Sequence, residues 1–111
     1  MPKIRKKWYF TVKNLIADVM NGEISERTES GKTIIDSVNT VVRRTAERPD
    51  GSVRLLVVGE TVKRRNRYVA GVAMKFFVSE RNVNRYTSEF VYAVAEEMGY
   101  SGVKQGTPTV K

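Results

Sequence analysis

The chain has no cysteine and no histidine among its 111 residues. The first absence excludes disulfides and thiolate metal sites. The two together remove most zinc sites and every Cys–His or Ser–His catalytic arrangement. Nothing depends on an oxidising compartment, so the expected location is the cytoplasm, or the host cytoplasm for a viral protein. Long apolar runs are also missing: no stretch approaches the roughly 18 apolar residues of a membrane span. The opening MPKIRKKWYF is basic but lacks the apolar core of a signal peptide. Acidic side chains are few, twelve Asp and Glu against twenty Lys and Arg, for a net charge of +8. The carboxylates are scattered, and no pair has a spacing that predicts acid–base work or a metal site. No enzyme activity, cofactor or metal is therefore expected.

What is present is a globular chain in a strong positive field. A hydrophobic fraction of 41% is too high for a disordered chain. The length suits one domain with a modest core. Such a field attracts polyanions, nucleic acid first and an anionic membrane second. Membrane binding wants an amphipathic helix whose bulky apolar face is free. Here the apolar faces are needed for the core, so no membrane partner is expected.

Periodicity gives the elements. In WYFTVKNLIADVMNGEISERTE two readings compete. Trp8, Phe10 and Val12 alternate, and Asn21-Gly22 is a hairpin turn signal. That reading gives strands at 7–20 and 23–29. Yet Val12, Leu15, Ile16, Val19 and Met20 also fit a helix, with Gly22 at its C-terminus. Residues 33–47 read as a helix with a stripe of Ile34, Ile35, Val38, Val41 and Val42. Residues 53–62 read as a central strand, because Leu55 to Val58 are apolar on both faces. Residues 67–78 read as the next strand, with Tyr68, Ala70, Val72, Met74, Phe76 and Val78 on one face. Residues 83–98 read as a helix capped by Asn82 or Asn84, burying Val83, Tyr86, Phe90, Val94 and Met98 and closed by Gly99. The expected fold is α+β, a small antiparallel sheet with helices on one face, in the order ββαββα. With residues 11–20 helical the order becomes ααββα. The domain is expected to span 1–100, followed by a tail at 101–111.

Residues 30–36, SGKTIID, carry the last letters of a phosphate-binding loop. Such a loop needs a second glycine five positions earlier, so that backbone N–H groups can curl around phosphate. That position is Glu26, whose carboxylate repels phosphate. The letters read better as a helix start: Thr33 as N-cap, Asp36 completing a capping box and Gly31 serving the turn.

Three basic groups remain. Lys63, Arg64, Arg65 and Arg67 crowd the tip of the predicted hairpin, where only an anionic partner relieves their repulsion. Lys3, Arg5, Lys6 and Lys7 precede Trp8 and Tyr9, and Trp8 reads as the first core residue after a basic arm. Arg43 and Arg44 close the 33–47 helix, with Arg48 nearby. Their ranking as phosphate contacts follows that order.

An aromatic, β-branched opening leads through NGE to a polar segment. Then come a helix ending in VVRRTAERPDG, the run VRLLVVGE, and a tyrosine before AMKFF. Over residues 8–80 this order resembles the small histone-like early DNA-binding proteins of tailed bacteriophages. The resemblance implies coating of double-stranded DNA with little sequence preference, and it carries no catalytic residue. The expected function is thus non-catalytic, largely sequence-independent binding of nucleic acid, duplex DNA in particular. The alternative is a viral or accessory protein whose basic loop meets an acidic protein partner. A homo-oligomer is compatible with either.

Overall fold

Between Trp8 and Met20, helical spacing wins over alternation. Tyr9, Val12 and Ile16, three and four residues apart, are buried, while Phe10 is 58% exposed. A strand would have put Phe10 and Val12 on one face. In the computed structural model, which describes residues 8–99, this segment is helix α1 (Trp8–Met20). The Asn21-Gly22 pair ends it instead of turning a hairpin. Gly22 has φ +74°, its N–H reaches the Val19 carbonyl, and the Glu23 N–H reaches that of Asp18. These two crossed bonds satisfy the last carbonyls of the helix, and the left-handed residue between them favours glycine.

Helix α2 (Glu29–Ala46) begins four residues earlier than the 33–47 reading. Its N-cap is Thr28, whose hydroxyl accepts the Gly31 N–H at 2.9 Å. Thr33 lies inside the helix, and its hydroxyl donates to the Glu29 carbonyl at 3.0 Å. Gly31 is there for close approach: a Cβ would overlap the Ser25 carbonyl oxygen. The SGKT letters are thus a helix start, with the cap moved to Thr28. Val38 and Val41 are buried, and Ile34, Ile35 and Val42 are half-buried beside them.

None of the other three predicted strands is present: residues 23–28, expected within the strand at 23–29, form turns and bends before α2, and the remaining two are helical. Residues 53–62 fall in α3 (Gly51–Val58) and a π-turn over Gly59–Lys63 that continues it. The run Leu55 to Val58 is apolar on opposite sides because the helix lies between two apolar clusters, but Leu56, expected to be buried, is 54% exposed. Val58 and Val62 point into one, and Val57 into the other. Residues 67–78 contain α4 (Val69–Phe76). There Val72 and its neighbour Ala73 are both buried, while Tyr68 and Met74 are 68% and 74% exposed. Adjacent buried positions are incompatible with strand alternation. The last helix, α5 (Glu80–Glu97), is capped by Ser79, which accepts the Asn82 N–H at 3.0 Å; neither Asn82 nor Asn84 is the cap.

The α+β expectation, in both ββαββα and ααββα orders, is therefore corrected. The described residues form an all-helical array with no strand and no sheet. The larger core joins α1, α2, the end of α3 and the second half of α5 around Ile16, Val38, Phe90 and Val94. The smaller joins α3, α4 and the start of α5 around Val57, Val72, Val83 and Tyr86. The elements on which the phage-protein resemblance was drawn as strands are helices. The tail at 101–111 lies outside the described residues, and no described helix is long and apolar enough to cross a membrane.

Two substitutions test this arrangement. Thr28→Ala is expected to lower unfolding free energy by about 1 kcal/mol, whereas the exposed Thr33→Ala changes it by less than about 0.5. Equal effects in urea unfolding would return the cap to Thr33. Val72→Asp would put an unpaired carboxylate in the smaller core and is expected to cost several kcal/mol; a variant as stable as the parent would mean that Val72 is not buried.

Candidate nucleic-acid interface

Helix α4 has eight residues and is joined to α5 by Phe77, Val78 and Ser79. Phe77 takes the left-handed conformation, φ 58°, and the Val78 N–H closes α4 on the Ala73 carbonyl at 3.0 Å. A short helix, a three-residue turn with a left-handed residue, and a longer helix packed on the first have the connectivity of a helix-turn-helix. Val57 of α3 completes the small core beneath it.

That packing decides what α5 shows outward. Val83, Tyr86 and Thr87 turn inward, and Arg81, Asn84 and Arg85 are exposed in the first two turns. Further along, the same side is covered: Trp8 meets Tyr92 edge-on at 5.1 Å, and the Tyr9 hydroxyl lies 3.3 Å from that of Ser88. Trp8 thus packs on the core at the start of α1. On this side of α5 only the first half is open. The sequence reading passed over Arg81, Asn84 and Arg85. A signal was available: Val69, Val72, Ala73 and Phe76 follow the i, i+3, i+4, i+7 helical pattern immediately before a Ser cap.

The cations expected at a hairpin tip occupy the end of the π-turn and the loop after it. Lys63 is exposed, and its carbonyl accepts from the Asn21 amide at 3.2 Å. Arg64 comes within 4.0 Å of Glu60, and Arg65 pairs with Asp18 at 3.1 Å. Among the described residues, Lys63 and Arg67 have no carboxylate within ion-pair distance. Two of the four cations are thus partly neutralised within the protein.

Glu60 organises this loop. Its carboxylate accepts from the Asn66 amide at 2.9 Å and from the Lys75 ammonium at 3.2 Å, and its side chain is only 12% exposed. Asn66 in turn accepts the Tyr68 N–H at 2.9 Å. The Asn66 hydrogen bond, and after it the Lys75 charge, holds Glu60 below the usual carboxylate range against the opposing pull of burial.

A second ionic node lies on the other flank of α5. Arg54, 12% exposed, donates to Asp50 at 2.9 Å and to Glu89 at 2.7 Å, with its guanidinium 4.5 Å from the Tyr86 ring centroid. The hydrogen bond from Arg54 lowers the Asp50 pKa. Arg44 pairs with Glu97 at 2.6 Å. That contact also accounts for a carboxylate at the unfavourable end of α5. Arg43 is exposed beside it on the last turn of α2. Lys3, Arg5, Lys6 and Lys7 lie outside the described residues.

The structure brings Arg65 and Arg67 together with Lys13 of α1 and Asn84 of α5 around a cleft of about 500 Å³. The Arg43–Arg44 pair does not line it. Among the described residues no group of three acidic side chains is placed to hold a metal ion. No family model, curated protein or solved structure matches the chain.

Glu60 gives a pH prediction. Its folded form prefers to be ionised, so its contacts stabilise the protein above the ordinary carboxylate value of 4.5. That stability is lost as pH falls through the lower folded value. Urea midpoints are expected to fall more steeply for the parent than for Glu60→Gln between about pH 5 and pH 3. Parallel pH profiles would show that Glu60 holds no proton-linked contact in the loop.

Proposed function

We propose that the protein binds duplex DNA by laying the first half of α5 in the major groove. The observation that carries this is the polar surface of Arg81, Asn84 and Arg85, exposed at the start of the second helix of a helix-turn-helix. In such a motif the second helix enters the groove and its first residues meet base edges, while the first helix crosses the backbone. The residue types suit the task. Arginine bonds the two acceptors of guanine bidentately, and asparagine does the same for the adenine donor–acceptor pair.

The net charge of +8 supports the phosphate contribution, which supplies most non-specific affinity. Lys63 and Arg67 are the loop cations most available for it, since Arg64 and Arg65 already face carboxylates. This reading retains duplex DNA as the ligand and adds base reading to the phosphate contacts expected from the loop. The cation groups at 3–7 and 43–44 extend the phosphate contacts on this proposal. The protein acts without catalysis.

Selection from a random duplex library, followed by anisotropy titrations across a salt series, tests the proposal. Arg85→Ala is expected to weaken binding to the selected duplex by about 1–3 kcal/mol, with little change for unrelated duplexes. Lys63→Gln with Arg67→Gln should weaken all duplexes alike and flatten the log K against log salt slope by about two units. If the parent binds no duplex even at low salt, the proposal fails.

A further inference from the structure

The open face of α5 forms one wall of the 500 Å³ cleft; the start of α1 and the 65–67 loop form the others. Three cations line it, Lys13, Arg65 and Arg67, and none of its described lining residues is acidic. In a chain with twelve carboxylates that is a local excess of positive charge. The cleft also has an aromatic side. Phe10 is 58% exposed, and the buried Tyr9 ring meets it edge-on at 5.2 Å. Asn84 and Ser88 add polar groups from α5.

The loop that presents the arginines is fixed in advance. Arg65 has φ 54°, the left-handed region that a non-glycine residue enters only when its surroundings hold it there. Here they do: a π-turn leads into the loop, Asp18 pairs with the Arg65 side chain, and Glu60 and Tyr68 fix Asn66. π-turns and strained residues concentrate at functional sites. The Arg65 guanidinium has five N–H donors, and the Asp18 contact leaves others for a ligand.

We infer that this cleft is a nucleotide site. The phosphate sits among Lys13, Arg65 and Arg67, and the base lies against Phe10 within reach of the Asn84 amide. Arginine favours phosphate because its planar fork matches two oxygens at once. An exposed aromatic ring beside such a fork suits base stacking. A cleft of this volume falls within the usual range for small-molecule sites. The nucleotide can be a free mononucleotide or one belonging to a DNA strand; only the second source rests on the proposed DNA binding. Because Asn84 serves both the cleft and the α5 face, a free nucleotide and DNA compete.

The test is an amide-resolved NMR titration of the intact protein with AMP, adenosine and inorganic phosphate in separate runs without DNA, then with duplex DNA. AMP is expected to shift the amides of Phe10, Arg67 and Asn84 saturably and to bind at least tenfold more tightly than adenosine or phosphate. Lys13→Gln combined with Arg67→Gln should weaken AMP at least tenfold with the amide spectrum away from the cleft retained, while Arg81→Ala leaves AMP binding intact. If AMP leaves the cleft silent but DNA shifts the Phe10 amide, which the α5 contacts do not involve, and the double variant loses that shift, the nucleotide is that of the strand. If neither AMP nor DNA moves the Phe10 amide, or the double variant responds like the parent, the inference is overturned. Failure of DNA binding alone leaves the AMP result standing, so the two proposals fail separately.

Discussion

Both cores are built on α5, and the rest of the molecule follows from that sharing. Val83 and Tyr86 in its first half belong to the smaller core, and Phe90, Val91, Val94 and Ala95 to the larger. Each fully buried side chain of this kind contributes about 1.5–3 kcal/mol, so neither core can be lost without releasing one end of the helix. The apolar arc is wide, and α1 widens it further by covering Ser88 to Tyr92. On the side that α1 covers, what remains open is a short polar surface at the start. A helix held along its second half, with one side of its first two turns exposed, is compatible with the groove insertion proposed above.

At the junction of the two cores the polar groups are satisfied internally. The buried Thr61 hydroxyl lies 3.0 Å from the Val57 carbonyl and 2.9 Å from the Thr87 hydroxyl, tying the π-turn to α5. An unpaired hydroxyl there would cost about 1–3 kcal/mol. On the outer flank Arg54 bridges Asp50, Glu89 and the face of Tyr86. The two nodes hold α5 from opposite sides, Thr61 beneath it and Arg54 beside it. The start of the helix therefore keeps its direction without packing on its exposed side.

The sequence showed the helices with one apolar stripe and hid those with two. The stripes of α2 and α5 are plain because their remaining faces are polar. In VAGVAMKFFV nearly every residue is apolar, so the two-residue and the 3.6-residue periods fit equally. Leu55 to Val58 looked like a central strand for a related reason: a helix between two clusters also needs apolar residues on opposite sides. At the candidate site, the density of cations in residues 63–67 was legible, but their partners were not. Asp18 reaches Arg65 across 47 positions of sequence, a tertiary fact that local composition does not contain. Arg81, Asn84 and Arg85 were hidden by the alternation reading of residues 67–78, which masked the helical spacing of Val69, Val72, Ala73 and Phe76 before the Ser79 cap.

The charges are better understood by placement than by number. Exposed ion pairs contribute about 0–1 kcal/mol each, so Asp18–Arg65 and Arg44–Glu97 add little to stability. Their effect is to spend acids on positioning. Glu60 holds the loop, Asp18 turns Arg65, and Glu97 occupies Arg44 at the end of α5 farthest from the open face. Lys63 at the end of the π-turn and Arg67 in the loop, which have no such partners among the described residues, stand in or next to the same fixed segment. A long side chain on a free loop loses rotamer freedom when it meets an anion, at about 0.5–1.5 kcal/mol each. A loop ordered by its own carboxylate has already lost its backbone share of that freedom on folding. A net charge of +8 spread evenly would attract any polyanion; the exposed cations Lys63 and Arg67, which have no carboxylate partner among the described residues, are placed near the open start of α5, and it is this placement on which the proposed DNA binding draws.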